Sequence, residues 1–450
     1  MTEPMQRGGA RISEHVLSSG MRVLVAERRG DPVVATLLFY RVGARNEREH
    51  EAGVSHFLEH LMFKGTQKLA KGEIDRITAE LGGVNNAFTG NDHTAYWFEL
   101  ASDRWEAALD IELERMRALR LDAAEFEAER EVVLEELSMG EDEPWRVLTR
   151  RAEALLFPRH PYGRPVIGYR ETLRALKVED VRAYYERFYH PSNALLVVCG
   201  DVGSEAALAA VEKRFGALEA GPDYAAVDAP RFPDEPLAGE VRFAMRWDDP
   251  GSRLCIAWRG VRVGTREDDG LDLLCTALGA GRMSRLQRRL VFDERLATSI
   301  SVSNDSRIEG GVFWILAEAA QGVEPAKLER ALDEELERCA RELLSAAELE
   351  RARALLRSSE AFEIESVSDL GEELGAAAID ADWRNALDGG ARRAQISAQE
   401  VRELARQLLR RDQRVLGWSL PKAAAPAEAA RPEKASSGPR KARAGKARAR

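Results

Sequence analysis

Gly53-Val54-Ser55-His56-Phe57-Leu58-Glu59-His60-Leu61-Met62-Phe63 is the stretch around which the rest of this 450-residue sequence can be read. On a helix, residues four apart share a face, so His56 and His60 project side by side, as two imidazoles must to hold one ion. Glu59, three residues after His56, lies near that face. The spacing is H-x-x-E-H, the reverse of the H-E-x-x-H zinc peptidase motif, and points to metal-assisted hydrolysis with Glu59 as general base. A surface helix can carry His and Glu without any site. A paired His with an adjacent Glu on an otherwise apolar helix is harder to explain that way, because burying those groups is costly without a function.

A catalytic zinc takes three protein ligands and keeps one position open. The third ligand must come from another segment, and a helical pattern over Ala123–Met139 offers Glu129, Glu135 and Glu136. Asp122 is placed to cap that helix, with Glu125 completing a capping box. Glu129, Val132, Val133 and Glu136 form one stripe expected to face inward. Glu135 points about 100° away and is expected in solvent.

Around these helices the pattern alternates between strand and helix. Met21–Arg28, Pro32–Val42, Thr94–Leu100 and the apolar run Ala194–Cys199 read as strands. Gly72–Leu81 and Arg104–Leu119 read as helices, and more helix leads to Phe188. The prolines at 222, 230, 233 and 236 mark a linker over 221–236. Beyond it the order restarts, with strands over Glu240–Arg246, Arg253–Trp258, Ala297–Ser303, Gly311–Ala317 and Arg414–Trp418. Helices are expected over Asp268–Leu278, Pro325 to about Glu360 and Ala398–Leu409, and a helix or turn over Ser284–Phe292. Two halves with the same element order predict an α+β fold of two homologous domains, each a mostly antiparallel sheet with helices on one side. The predicted domains are 12–220, carrying the zinc, and 237–420, without metal, followed by a disordered basic tail over 421–450.

Composition narrows the function. Hydrophobic and charged contents of 44% and 32% are those of a globular protein. No apolar run reaches the roughly 18 residues of a membrane span. The N-terminus has no apolar signal region, so a cytoplasmic protein is expected. From Lys422 to Arg450 nine Lys/Arg face two Glu, a local +7 in a chain of net charge -10, which leaves a body near -17. That acidic body argues against nucleic acid as the main partner. Cys199, Cys255, Cys275 and Cys339 form no C-x-x-C pair and read as buried reduced thiols.

With these residues in view, the chain resembles the inverted-motif zinc peptidases, the family of pitrilysin, insulin-degrading enzyme and mitochondrial processing peptidase. It is most similar to the family's bacterial two-domain, zinc-bearing subunits. The likeness is carried by Gly53 through Thr66, by Gly82-Gly83 and Asn86-Ala87-Phe88-Thr89 followed by Thr94 and Tyr96, by Glu129 through Glu136, and by Phe188 through Ala194 with Gly200-Asp201. It implies one zinc per chain bound by His56, His60 and Glu136, with Glu129 as the acid that orients a ligand histidine. It implies that Glu59 takes a proton from the attacking water. It also implies that an extended peptide adds to an edge strand at Asn86, Ala87, Phe88 and Thr89. For Asn86 and Phe88, a turn residue and a core aromatic are the alternatives.

One departure stands out. Self-sufficient members carry an Arg and a Tyr seven apart in the second domain; here those positions read Val291 and Thr298, which cannot supply such donors to a developing oxyanion. The resemblance therefore implies a clamshell heterodimer with a homologous zinc-free chain that supplies the pair, or alternatively a homodimer. The expected activity is endopeptidase action on short or unfolded polypeptides. A non-catalytic scaffold of the same fold is the alternative.

Overall fold

The computed structural model describes residues 5–222 and 236–422. Most of the expected linker and the basic tail therefore lie outside the described residues. The chain builds two sheets. The first has seven strands in the order β1-β2-β3-β7-β4-β6-β5. These are β1 (Met5–Arg7), β2 (Ala10–Val16), β3 (Arg22–Glu27), β4 (Val33–Tyr40), β5 (Val84–Thr89), β6 (Thr94–Ala101) and β7 (Ala194–Gly200). Only β3 and β7 pair in parallel; the other neighbours are antiparallel. The second sheet has the order β10-β11-β9-β12-β8, built from β8 (Val241–Trp247), β9 (Arg253–Gly260), β10 (Ala297–Arg307), β11 (Gly310–Ala319) and β12 (Arg414–Pro421). Here β8 and β12 are the parallel pair. Read in reverse, this order matches β3-β7-β4-β6-β5, so the duplication expected from element order is present in the topology.

The helices of the first half are α1 (Val54–Leu61), α2 (Glu73–Glu80), α3 (Glu106–Ala118), α4 (Ala123–Glu141), α5 (Pro144–Leu156), α6 (Arg170–Ala175), α7 (Val178–Phe188) and α8 (Ser204–Phe215). Those of the second are α9 (Arg266–Gly279), α10 (Pro325–Arg341), α11 (Ala346–Phe362), α12 (Val367–Asp380), α13 (Asn385–Ala394) and α14 (Ala398–Leu408). The helix-or-turn expected over Ser284–Phe292 is a π-helical segment, Gln287–Asp293. The strands β1 and β2 and the helices α8, α12 and α13 were not anticipated from the sequence pattern.

Each sheet is buried on both faces, by helices of different origin. Val23, Val25, Leu38, Tyr40, Tyr96 and Val198 point into a core shared with α1, α3, α4 and α7. The alternate residues Leu24, Leu37, Phe39, Leu195 and Val197 point the other way, against Leu370, Leu374, Ala378 and Ile379 of α12. The second half returns the arrangement: Leu148, Ala152 and Leu156 of α5 pack on Cys255, Ala257, Val312 and Val415 of the second sheet. Thus the helices of each half cover one side of its own sheet, as expected, and each half also lends one helix to the far side of the other. This double burial explains why β4, β7 and β9 are apolar nearly throughout instead of alternating.

Two local expectations need correction. Asp122 does cap α4, accepting from Ala124 N and Glu125 N at 2.9 and 3.2 Å. The return bond of the capping box is absent, because Glu125 pairs with Lys71 at 2.5 Å. Val132 is 51% exposed instead of facing inward with the buried Val133. Cys199, Cys255 and Cys339 are buried and free; Cys275 is free but only partly buried. Among the described residues no helix is long and apolar enough to cross a membrane.

Candidate metal centre

Local chemistry fixes the start of α1. Gly53 stands at its N-terminus with φ of 97°, a left-handed conformation that glycine adopts without strain. A Cβ there would also meet Ile167 O at 2.6 Å. The buried Glu47 carboxylate accepts from Gly53 N and Ser55 N at 2.9 and 2.8 Å, satisfying the free donors of the first turn. Burial pushes Glu47 up to about 7, against those hydrogen bonds. Phe57, Leu58 and Leu61 anchor the inner face of α1 in the core, and His56 and His60 stay half-buried on the other side.

The imidazoles lie with ring centres 4.8 Å apart. His56 Nε2 and His60 Nε2 are 3.6 and 3.5 Å from the same oxygen, Glu136 Oε2. One donor atom from each of His56, His60 and Glu136 falls within 4.8 Å of the others, and among the described residues this is the one such group able to share an ion. The donor set is two nitrogens and one carboxylate oxygen, which fits zinc with an open position. Glu135 is exposed and takes no part.

Glu129 is buried below this group. Its Oε1 accepts from His60 Nδ1 at 2.8 Å, and its Oε2 accepts from Lys64 Nζ at 2.6 Å. Burial favours the neutral acid, but those two partners outweigh it and hold Glu129 below the usual carboxylate range. The bond to Nδ1 leaves His60 Nε2 as the nitrogen turned to Glu136. His56 has no such support, since its buried Nδ1 lacks any hydrogen-bond partner.

The charges at this centre are uneven. Burial opposes a charge on His60, yet the hydrogen bonds to Glu129 and Glu136 raise it to about 9. Burial and the neighbouring His60 push His56 well down. Glu136 is lowered, chiefly by its hydrogen bond with His60. Glu59 is raised by burial, with Thr89 and His60 working against the rise; Thr89 Oγ1 donates to Glu59 Oε2 in a short contact.

Thr89 closes β5, which pairs only with β6 and so forms the open edge of the first sheet. Along it Asn86 is exposed, and Ala87 and Phe88 are partly buried. Asn86 Oδ1 accepts from Ala87 N at 2.9 Å. The ring of Phe88 stacks edge-on with Phe39 and His93 at 6.4 and 5.8 Å, which is the behaviour of a core aromatic. Thr94 and Tyr96 on β6 are wholly buried. In the second half Val291 packs against the core, and Thr298 is exposed, with its hydroxyl donating to Glu318 O at 3.3 Å.

Sequence reasoning missed Lys64 and Glu47. Lys64 sits four residues after His60, so helical spacing could have placed it near Glu129. Glu47 reaches α1 from a preceding turn, and no local spacing signals that.

Comparison with known proteins agrees with this architecture. Residues 22–170 match the family model of insulinase (peptidase family M16), and residues 175–356 match that of the peptidase M16 inactive domain. The zinc protease PqqE of Helicobacter pylori is 31% identical over 359 residues, covering 79% of this chain and 80% of that protein. The uncharacterized zinc protease YmxG of Bacillus subtilis is 27% identical over 357 residues, covering 79% and 85%. Among solved structures, a protease from Helicobacter pylori superposes with a TM-score of 0.87 at 25% identity, covering 93% of this chain and all of that one. The periplasmic protease PqqL of Escherichia coli superposes with a TM-score of 0.76 at 20% identity, covering 93% of this chain and 48% of that one.

Proposed function

The chain belongs to peptidase family M16, and from that premise we propose that it is itself a zinc metalloendopeptidase acting on short or unfolded polypeptides. The observation that carries this reading is the convergence of His56, His60 and Glu136 within 4.8 Å, one turn from a base that is held at the open sheet edge by Thr89. Zinc held there supplies the Lewis acidity that polarises a peptide carbonyl and acidifies the attacking water.

The chain's own residues do the rest. The unpaired backbone of β5 binds the peptide as an added strand, with Asn86, Ala87, Phe88 and Thr89 beside it. Thr89 aims the carboxylate of Glu59. Glu59, made more basic by burial, takes the proton of the attacking water and delivers it to the leaving amine. Glu129 and Lys64 keep His60 in one tautomer, so both act by positioning.

We further propose a division of labour. Val291 and Thr298 offer no charged or phenolic donor, so a homologous zinc-free chain supplies an Arg/Tyr pair across a clamshell. A homodimer is the alternative. Free thiols at all four cysteines favour a reducing, cytoplasmic location. The test is zinc content and peptide hydrolysis of the purified chain, alone and with candidate partners. We expect about one zinc per chain, with full activity only in a complex. A chain without zinc overturns the reading; a chain fully active alone overturns the division of labour. A zinc-loaded chain inert with every partner favours the scaffold.

A further inference from the structure

The two halves meet at the turn that closes the open edge of the first sheet. Residues 90–93 join β5 to β6, and Gly90 N donates to His93 O at 2.9 Å across the turn. From the first half, Arg45 N donates to Asn91 O at 2.8 Å, and Arg45 Nε and Tyr162 Oη donate to Asp92 Oδ1 at 2.7 and 2.9 Å. From the second half, Ile308 N, between β10 and β11, donates to Asp92 Oδ2 at 3.2 Å. Asp380, the last residue of α12, accepts from His93 Nδ1 at 2.9 Å, and both side chains are partly buried. Burial opposes a charge on His93, but Asp380, helped by Asp92 and Glu372, outweighs it and raises the imidazole above its ordinary value.

From His93 the contacts lead to the base. Its ring stacks edge-on with Phe88 and Phe39, with ring centres 5.8 and 5.6 Å apart. Phe88 adjoins Thr89, whose hydroxyl holds Glu59. Thr89 and Thr94 are register partners at the last rung before the turn. Asp380 is thus linked to Glu59 through His93, Phe88 and Thr89. Other polar ties of α12, from Arg7 to Glu373, Arg22 to Ala378 O and Arg41 to Ile379 O, reach β1, β3 and the residue after β4 instead.

The strand β5 has one neighbouring strand, so the turn is what fixes its end at Thr89. A partly buried ion pair adds little stability over an apolar contact, yet it holds one geometry. Placement of a base is where geometry counts, because an error of about 1 Å from a change remote from the chemistry costs about a hundredfold. We infer that His93 and Asp380 are positioning residues for Glu59: their pair, acting through the turn and Thr89, lets the second half set the base against the metal centre. This rests on the peptidase reading above.

The test compares Asp380→Ala, His93→Phe and Asp380→Asn in the zinc-loaded full chain, alone or with its partner, whichever form hydrolyses an unfolded peptide. His93→Phe keeps an aromatic ring and removes the pair, and it carries the test if Asp380→Ala fails to fold. Asp380→Asn keeps an acceptor for Nδ1. The first two lower kcat about ten- to hundredfold at unchanged zinc content. Their KM stays within about twofold, because the ladder from β5 to β6 remains. Asp380→Asn recovers most of the loss. In a Thr89→Val background the same substitutions cost nothing further, since the route is already cut. Hydrogen exchange quickens over residues 84–94 and is unchanged over β3 and β4. Unchanged kcat, losses that multiply with that of Thr89→Val, or exchange that quickens along the whole first sheet overturns the inference and leaves the peptidase reading standing. A wild-type chain that hydrolyses no peptide in any form overturns both.

Discussion

In the first sheet the connection from β4 to the edge strand β5 presents His56 and His60; in the second, the connection from β9 to the edge strand β10 presents Asp268 and Asp272 at the same spacing. Each connecting helix meets a polar residue of its edge strand. Thr89 reaches Glu59 in the first half, and Asn304 Nδ2 donates to both Asp268 and Asp272 at 2.8 and 2.9 Å in the second. There the resemblance ends. Arg393 stands 3.7 Å from Asp272, burial pushes Asp272 up to about 6, and all seven histidines of the chain lie in the first half. One scaffold position has thus been closed by an amide and a guanidinium in one half. In the other it stays open, with two nitrogen donors and a carboxylate from α4 close enough to share an ion. The fold supplies the place, and the donor types decide whether a metal can use it.

The sharpest way to break this comparison is to alter both sites. His60→Ala is expected to abolish stoichiometric zinc binding and hydrolysis, whereas Asp272→Asn leaves zinc content unchanged; metal analysis of the two purified variants checks this. Glu59→Gln should keep its zinc and lose about 10²–10⁴-fold in turnover, measured as kcat on an unfolded peptide with the active complex. A variant that keeps its turnover would remove Glu59 from the chemistry. Glu129→Gln, which frees His60 without deleting a ligand, is expected to weaken zinc about 10–100-fold, as read by competition with a chelator.

Proton linkage sharpens the same contrast. In the metal-free chain His60 stays protonated below about 9, and zinc requires its neutral nitrogen. Loading at neutral pH therefore expels about one proton, and affinity climbs about tenfold per pH unit until it levels near that value. Calorimetry in buffers of different ionisation enthalpy measures the proton count, and a count of zero contradicts the arrangement around His60. The smallest effect concerns packing. Leu374→Ala on α12 and Leu148→Ala on α5 remove equivalent side chains from the two lent helices, each at a cost of about 2–5 kcal/mol. Denaturant unfolding of the zinc-free and zinc-loaded forms checks whether the two losses are alike.

The sequence carried the site better than the fold. His56, Glu59 and His60 were legible because helical spacing decides which side chains share a face; spacing put Glu129 and Glu136 on one stripe, and only the family resemblance chose Glu136 between them. Most strands were legible from their apolar runs. The lent helices were not. Nothing in the residues of α12 says that their apolar stripe lies on a sheet formed some 170 residues earlier in the chain. The inward reading of Val132 failed for a related reason: periodicity assigns a stripe, but the neighbours decide where the stripe leaves the core. Glu125 satisfied a capping pattern and was diverted by Lys71, a partner distant in sequence.

The exchange of α5 and α12 has a consequence for how the protein is made. When β7 leaves the ribosome, the first sheet has all its strands, but the face bearing Leu37, Phe39, Leu195 and Val197 still lacks its cover. That cover, α12, begins at Val367. At about 5–20 residues per second its synthesis lags by roughly ten to thirty seconds. During that time the nascent chain displays a broad apolar sheet surface with α1 and α4, the helices of the candidate metal centre, already on its other side. Holding that surface apart from other chains is a task for chaperones, and a message truncated before residue 367 leaves it permanently bare.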